Sequence, residues 1–181
     1  MSAFQTLGLP PRLLLEDDEL REAFRAAGKT AHPDAGGGEG EFAALREAHA
    51  ILSSPSRRLK HWLEIHGIAP DPRGTIGPSL MELFTLVGTA TQKAETLIRK
   101  RDEAKSLLVR AMLEAETQIC REEVENAIFQ VEAFITRECS IFPELETATE
   151  LELAAVSQVV RDLAFLEKWK AGLRSCYSRL V

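Results

Sequence analysis

Apolar residues recur at every third or fourth position through most of this chain, with no run of the strict alternation that a half-buried strand requires. The first such stretch spans Asp17–Ala31, where Leu20, Phe24, Ala27 and Ala31 recur at helical spacing. Glu16, Asp17, Asp18 and Glu19 open it, and negative charge suits the positive end of a helix dipole. Pro33 ends it, because proline has no backbone donor for the helical ladder. A second helix is predicted over 41–52, with Phe42, Leu45, His49 and Leu52 on one stripe, and Ser53-Ser54-Pro55 forms a break or restart. These two helices should pair antiparallel.

Proline and glycine cluster at Pro10-Pro11, from Pro33 to Gly40, and from Pro70 to Pro78. The last cluster has too much turn chemistry to continue a helix, so it predicts a linker at 69–78 between domains at 1–68 and 79–181. Beyond it, helices are predicted over 79–100, 102–139 and 147–179, with Pro143 marking the turn before the last. In the last helix Val159, Leu163, Leu166, Trp169, Leu173, Tyr177 and Leu180 step by three or four residues, the seam of a helix in a small bundle. The expected fold class is all-α: an N-terminal antiparallel hairpin joined to a C-terminal three-helix bundle.

Composition narrows the partners. With 181 residues, 45% of them apolar, the chain can bury one ordinary core or two small ones. A net charge of −6 argues against general nucleic-acid binding, which needs a basic surface to displace counterions from phosphate, and so favours protein partners. Cys120, Cys139 and Cys176 are odd in number and form no CxxC pair, which suggests neither a thiolate zinc site nor a disulfide framework and fits a reducing compartment. Met1 to Leu9 lacks the charged-then-apolar pattern of a leader, and no stretch approaches the roughly 20 apolar residues of a membrane span. The expectation is a soluble, unprocessed, cytoplasmic protein with no membrane or nucleic-acid partner.

Between the first two helices stands His32-Pro33-Asp34, followed by a glycine-rich run. Pro33 fixes its own φ and restricts the residue before it, so His32 and Asp34 project from a constrained turn. Arg21, Arg25 and Lys29, at i, i+4 and i+8, form a basic stripe leading towards that turn within an acidic chain. Taken singly, such a tripeptide is an ordinary turn and such a stripe an ordinary solvated face. A metal site built from His32, Asp34, His49, His61 and His66 is disfavoured, because His61 and His66 diverge around a helix and His49 lies on an apolar stripe. No nucleophile motif, phosphate-binding loop or ligand cluster supports an enzyme or a cofactor.

Helix, His-Pro-Asp, glycine-rich loop and helix together resemble the J domain over about Phe4 to Leu63. Leu20 to Arg25 looks like that family's second helix, Phe42 to Leu52 like its third, and Ser53 to Arg58 like the polar break and basic start of its last. The resemblance implies a co-chaperone that stimulates ATP hydrolysis by a DnaK-type (heat-shock protein 70 class) chaperone. His32, Pro33, Asp34, Arg21, Arg25 and Lys29 would be its chaperone-binding residues. His49 stands where J domains usually carry a tyrosine, which supports packing over ligation. The match departs at Ala31, where the family usually has Tyr, at Ala35, where it often has Lys, and at Gly28, inside the helix.

No glycine/phenylalanine-rich region or cysteine-rich module follows; a helical domain does, and the whole arrangement resembles the HscB-type co-chaperones of iron–sulfur cluster assembly. Leu80 to Phe84 and Leu163 to Lys168 carry that likeness. It implies an HscA- or DnaK-type chaperone partner, an IscU-type scaffold as client, and Leu80, Met81, Phe84 and Phe165 as client-binding residues. Independently, Leu80, Met81, Leu83, Phe84, Leu86 and Val87 wrap apolar side chains around more of a helix than one core-facing stripe requires, and Phe165 lies beside the seam. Reading the same residues as core stays open at this stage. Thr85, Gly88 and Gln92 stand where the family is acidic. The competing function is a structural interaction platform whose J-like domain no longer activates a chaperone.

Overall fold

The helical spacing becomes helix in the computed structural model, which describes the backbone of residues 1–31 and 39–181. The order is α1 (Ala3–Leu7), α2 (Asp17–Ala31), α3 (Glu39–Ser53), α4 (Pro55–Ile65), a 3-10 turn (Pro78–Leu80), α5 (Met81–Glu103), α6 (Leu107–Cys139), α7 (Phe142–Thr147) and α8 (Leu153–Leu180). Among the described residues there is no strand, and the chain is all-α. Two compact units divide it: Met1–Gly74 with Cys139–Leu163, and Thr75–Glu138 with Ala164–Val181.

In the first unit α3 packs against α1, α2 and α4. Phe24 of α2 meets His49 of α3, ring centroids 4.6 Å apart, and Gly28 faces Leu45. Residue numbers rise along one helix as they fall along the other, so the pair is antiparallel as its spacing predicts. Ser54 caps α4 by accepting the Arg57 N–H at 3.3 Å, and Pro55 occupies its first turn, where a missing donor costs nothing. Arg58 is turned inward, its Nη1 donating to the Leu52 carbonyl at 2.9 Å.

Two short helices were not expected from spacing. α1 is held by a capping box: the Ser2 hydroxyl accepts from the Gln5 N–H, and the Gln5 side chain accepts from the Ser2 N–H. Gly8 closes it at φ 67°, a left-handed conformation that favours glycine. Pro143, expected to mark a turn, instead lies in the first turn of α7, where proline is compatible with a helix.

Residues 139–163 group with the N-terminal unit, whereas the linker placement assigns them to the C-terminal domain. Hydrogen bonds give the reason. The Leu13 N–H donates to the Glu146 carboxylate, the Asp71 N–H to Ser157 Oγ at 3.0 Å, and Arg161 Nη1 to the Asp71 carbonyl at 2.7 Å. Asp71 of the expected linker is therefore fastened to α8.

The second unit is built around one seam per helix. α5 buries Leu83, Val87, Ala90, Ala94 and Leu97; α6 buries Cys120, Val124, Ala127 and Val131; α8 contributes Leu166, Leu173, Cys176 and Leu180. These steps of three, four and, from Leu166 to Leu173, seven keep one face of each helix inward and define a three-helix bundle. Arg101 and Arg121 each donate to the Leu180 carbonyl at 2.8 Å, capping the end of α8. Glu132 pairs with Lys170 at 3.0 Å and Arg174 at 2.9 Å, tying α6 to α8. The hydrogen bond from Lys170 holds the Glu132 carboxyl below the usual carboxylate range, against a smaller opposing effect of burial.

Candidate functional site

The first candidate surface lies on α2. Arg21, Arg25 and Lys29 are all exposed, on one side of a helix whose other side carries the buried Leu20 and the contacts of Phe24 and Gly28 with α3. Arg21 pairs with Asp18, and its Nε donates to the Asp17 carbonyl at 3.2 Å, which draws this guanidinium back over the acidic first turn. Arg25 and Lys29 lie one and two turns nearer the end of α2. His32, Pro33, Asp34 and Ala35 lie outside the described residues, in the sequence between α2 and α3.

The histidines beyond that tripeptide have packing or hydrogen-bonding roles. His49 is half-buried against Phe24. His61 accepts the Ala3 N–H on Nε2 at 3.0 Å and stacks on Phe4, docking α1 onto α4. His66 Nδ1 lies 2.7 Å from the Trp62 carbonyl and its ring packs on the indole. Among the described residues no group of three His, Cys, Asp or Glu side chains is placed to hold a metal ion. Burial pushes the Cys120 and Cys176 thiols up, away from the thiolate form that nucleophilic chemistry requires.

The second candidate surface lies in the C-terminal unit. Met81 and Phe84 are about half exposed, at 53% and 52%, and Phe165 is 36% exposed. Trp169 joins the two phenylalanines: its ring lies 5.8 Å from that of Phe84 and 6.2 Å from that of Phe165, while its body packs on the bundle core. Leu80 does not share this surface. It is fully buried, its backbone drawn into the 3-10 turn by a bond from its N–H to the Gly77 carbonyl, and the expectation that it faces a client is corrected. Leu83 and Val87 also turn inward, and Leu86 remains 37% exposed. Trp169 was read from spacing as a seam residue; its pairing with two exposed rings depends on how α5 and α8 pack, which periodicity does not record. Thr85 lies exposed beside Met81, bonding its Oγ1 to the Met81 carbonyl at 3.3 Å.

Comparison with known proteins places these surfaces in context. A search of family models finds no match. One stretch of 58 residues, 32% of the chain, is 40% identical to a tetratricopeptide repeat and J domain-containing co-chaperone of Cryptococcus neoformans. A stretch of 74 residues, 39% of the chain, is 36% identical to the chaperone protein DnaJ of Lacticaseibacillus casei. Those stretches span only 11% and 18% of the two relatives. Roughly a third of the chain is thus similar to part of a J domain-containing co-chaperone and of the chaperone protein DnaJ. Over its full length the chain has the fold of the chaperone HscB from Vibrio cholerae, with a TM-score of 0.61, 20% identity and complete coverage of both chains. No helix among the described residues is long and apolar enough to cross a membrane.

Proposed function

We propose that this protein is a J-domain co-chaperone of a DnaK- or HscA-type chaperone, whose ATP hydrolysis it stimulates through His32, Pro33 and Asp34. The observation that carries this reading is the exposed Arg21, Arg25 and Lys29 stripe on the helix that leads into the His-Pro-Asp tripeptide, supported by the similarity of about a third of the chain to J-domain proteins. A guanidinium and an ammonium near the end of α2 attract an acidic partner surface and orient the encounter, while the tripeptide makes the specific contact.

The exposed surface of Met81, Phe84 and Phe165, whose two rings meet on Trp169, takes the client. Exposed aromatic and methionine side chains on a rigid helical bundle supply contact area at little entropic cost, as protein-binding surfaces do. The HscB fold supports an iron–sulfur scaffold of the IscU type as that client. The acidic neighbours that resemblance leads one to expect are replaced by Thr85, Gly88 and Gln92, so recognition rests on apolar contact more than on charge. Tethering a client beside a chaperone raises its effective concentration there, which is what an adaptor with two surfaces achieves.

Separability is the test. His32→Gln should abolish ATPase stimulation and leave scaffold affinity, measured by calorimetry, unchanged. Phe165→Ala should weaken scaffold binding by roughly tenfold and leave stimulation by the client-free protein unchanged. Loss of both functions in either variant would overturn the two-surface reading.

A further inference from the structure

Three arginines meet at one end of the bundle. Arg101 stands in the last turn of α5, Arg110 near the start of α6 and Arg179 in the last turn of α8, and all three line a concavity of about 320 Å³. That volume is at the lower end of the range of small-ligand sites. The three residues lie on different helices, so no spacing along the chain groups them.

Two of these side chains are held by main-chain carbonyls instead of by carboxylates. Arg101 Nη1 donates to the Leu180 carbonyl at 2.8 Å and Arg110 Nε to the Ala104 carbonyl at 3.0 Å, at the C-terminal ends of α8 and α5. A carbonyl fixes a guanidinium in place without cancelling its charge. Each bond uses one N–H of the fork, and among the described residues the other side-chain donors of Arg101 and Arg110 have no protein acceptor. Arg179 is looser still: it reaches Asp102 at 3.8 Å, beyond hydrogen-bond length, and the two side chains are 56% and 72% exposed. Helix capping therefore accounts for one donor on each of Arg101 and Arg110, and not for Arg179 or the donors left over.

The acids of the concavity, Asp102 and Glu114, do not neutralise it. Glu114 is already engaged by Arg121 at 3.3 Å, a residue whose Nε shares the Leu180 carbonyl. With Arg121 included, four guanidiniums stand against two carboxylates, a local positive surplus in a chain whose net charge is −6. Planar forks fixed in advance, with donors unused, match the oxygens of a phosphate group. A carboxylate offers fewer oxygens than three such forks can hold, whereas a phosphate presents enough for each.

We propose that this concavity is an oxyanion site for a phosphate-bearing ligand, a phosphomonoester or a diphosphate, with Arg101, Arg110 and Arg179 as its donors. Two carriers share that chemistry: a small molecule in solution, and the headgroup of an anionic lipid, which the exposed Leu107 and Leu108 next to Arg110 would suit. The site shares no residue with the α2 stripe or with the Met81, Phe84 and Phe165 surface.

Calorimetric titration of the full chain with inorganic diphosphate, at low ionic strength and without divalent cations, tests the first carrier. Co-sedimentation with phosphatidylcholine vesicles, with and without phosphatidate, tests the second. Arg179→Ala, at an exposed position, should weaken the binding seen by about three- to tenfold with no change in melting temperature. Arg110→Lys, which keeps the charge and loses the fork, should weaken it as well, and Glu114→Gln should tighten it. Arg46→Ala, an equal loss of charge on α3, should leave it unchanged. Saturable diphosphate binding with this pattern supports a soluble ligand. Vesicle binding that requires phosphatidate and follows the same pattern, without diphosphate binding, assigns the phosphate to a lipid. Binding in neither assay, or equal weakening by Arg46→Ala and Arg179→Ala, would overturn the site.

Discussion

A methyl group added at Gly28 and one added at Gly74 should have opposite effects. At Gly28, inside α2, a Cβ would meet Leu45 Cδ2 at 3.8 Å, an ordinary van der Waals contact. The residue therefore weakens the helix without serving a close approach, and Gly28→Ala should raise stability by about 0.5–1 kcal/mol in urea unfolding. At Gly74 the backbone has φ 137°, and a Cβ would fall 2.8 Å from Arg161 Nε. Gly74→Ala should cost about 1–3 kcal/mol by the same measurement. An Arg161→Ala background should remove the steric part of that loss and leave the backbone part, which a double-mutant cycle separates. Glu132 gives a pH signature. Its folded pKa is depressed, so the Lys170 pairing contributes stability above the unfolded carboxylate pKa and is lost as pH falls through the folded value. Glu132→Gln should therefore melt earlier than wild type at neutral pH, and the gap should close in acid; a gap constant with pH would contradict that origin.

At the scale of elements, burial divides residues that sequence spacing had grouped. Leu80 sits in the core with no exposed surface, and Leu80→Ala should cost about 2–5 kcal/mol. Met81→Ala, one residue on and 53% exposed, should stay within about 0.5 kcal/mol of wild type in the same thermal melts. Equal losses at the two positions would contradict this division. The long helices were legible because they repeat their apolar pattern over several turns: α2 has the bounds its spacing predicts, and α5, α6 and α8 differ mainly at their ends. α1 and α7 were not, since helices of five and six residues offer too few turns for a period to register. Their signals are local instead. Ser2 and Gln5 have the spacing of a capping box, and Pro143 sits where a first helical turn tolerates proline.

At the scale of the whole molecule, the sequence distinguishes an N-terminal helical hairpin from a C-terminal bundle, and both are present. What it misses is the grouping of residues 139–163 with the first unit, which rests on Glu146, Ser157 and Arg161 bonding to backbone groups more than eighty positions away. Polar side chains of this kind have no periodicity, and their partners are fixed only once the helices have packed. The basic stripe was legible as i, i+4 spacing, and its exposure follows from the packing of α2 on α3. The aromatic surface was legible in part: Phe165 stood beside its seam and Phe84 belonged to an apolar run too broad for one stripe, while the role of Trp169 between them depended on tertiary contact.

Activation of a chaperone would be seen in single-turnover ATP hydrolysis by DnaK- and HscA-type chaperones, with and without the protein and with His32→Gln as control. Wild type should accelerate hydrolysis roughly tenfold or more, an effect lost in His32→Gln and reduced in an Arg25→Glu variant that melts like the wild type. An unchanged hydrolysis rate with every such chaperone from the same cell, at protein concentrations that saturate binding, would contradict it.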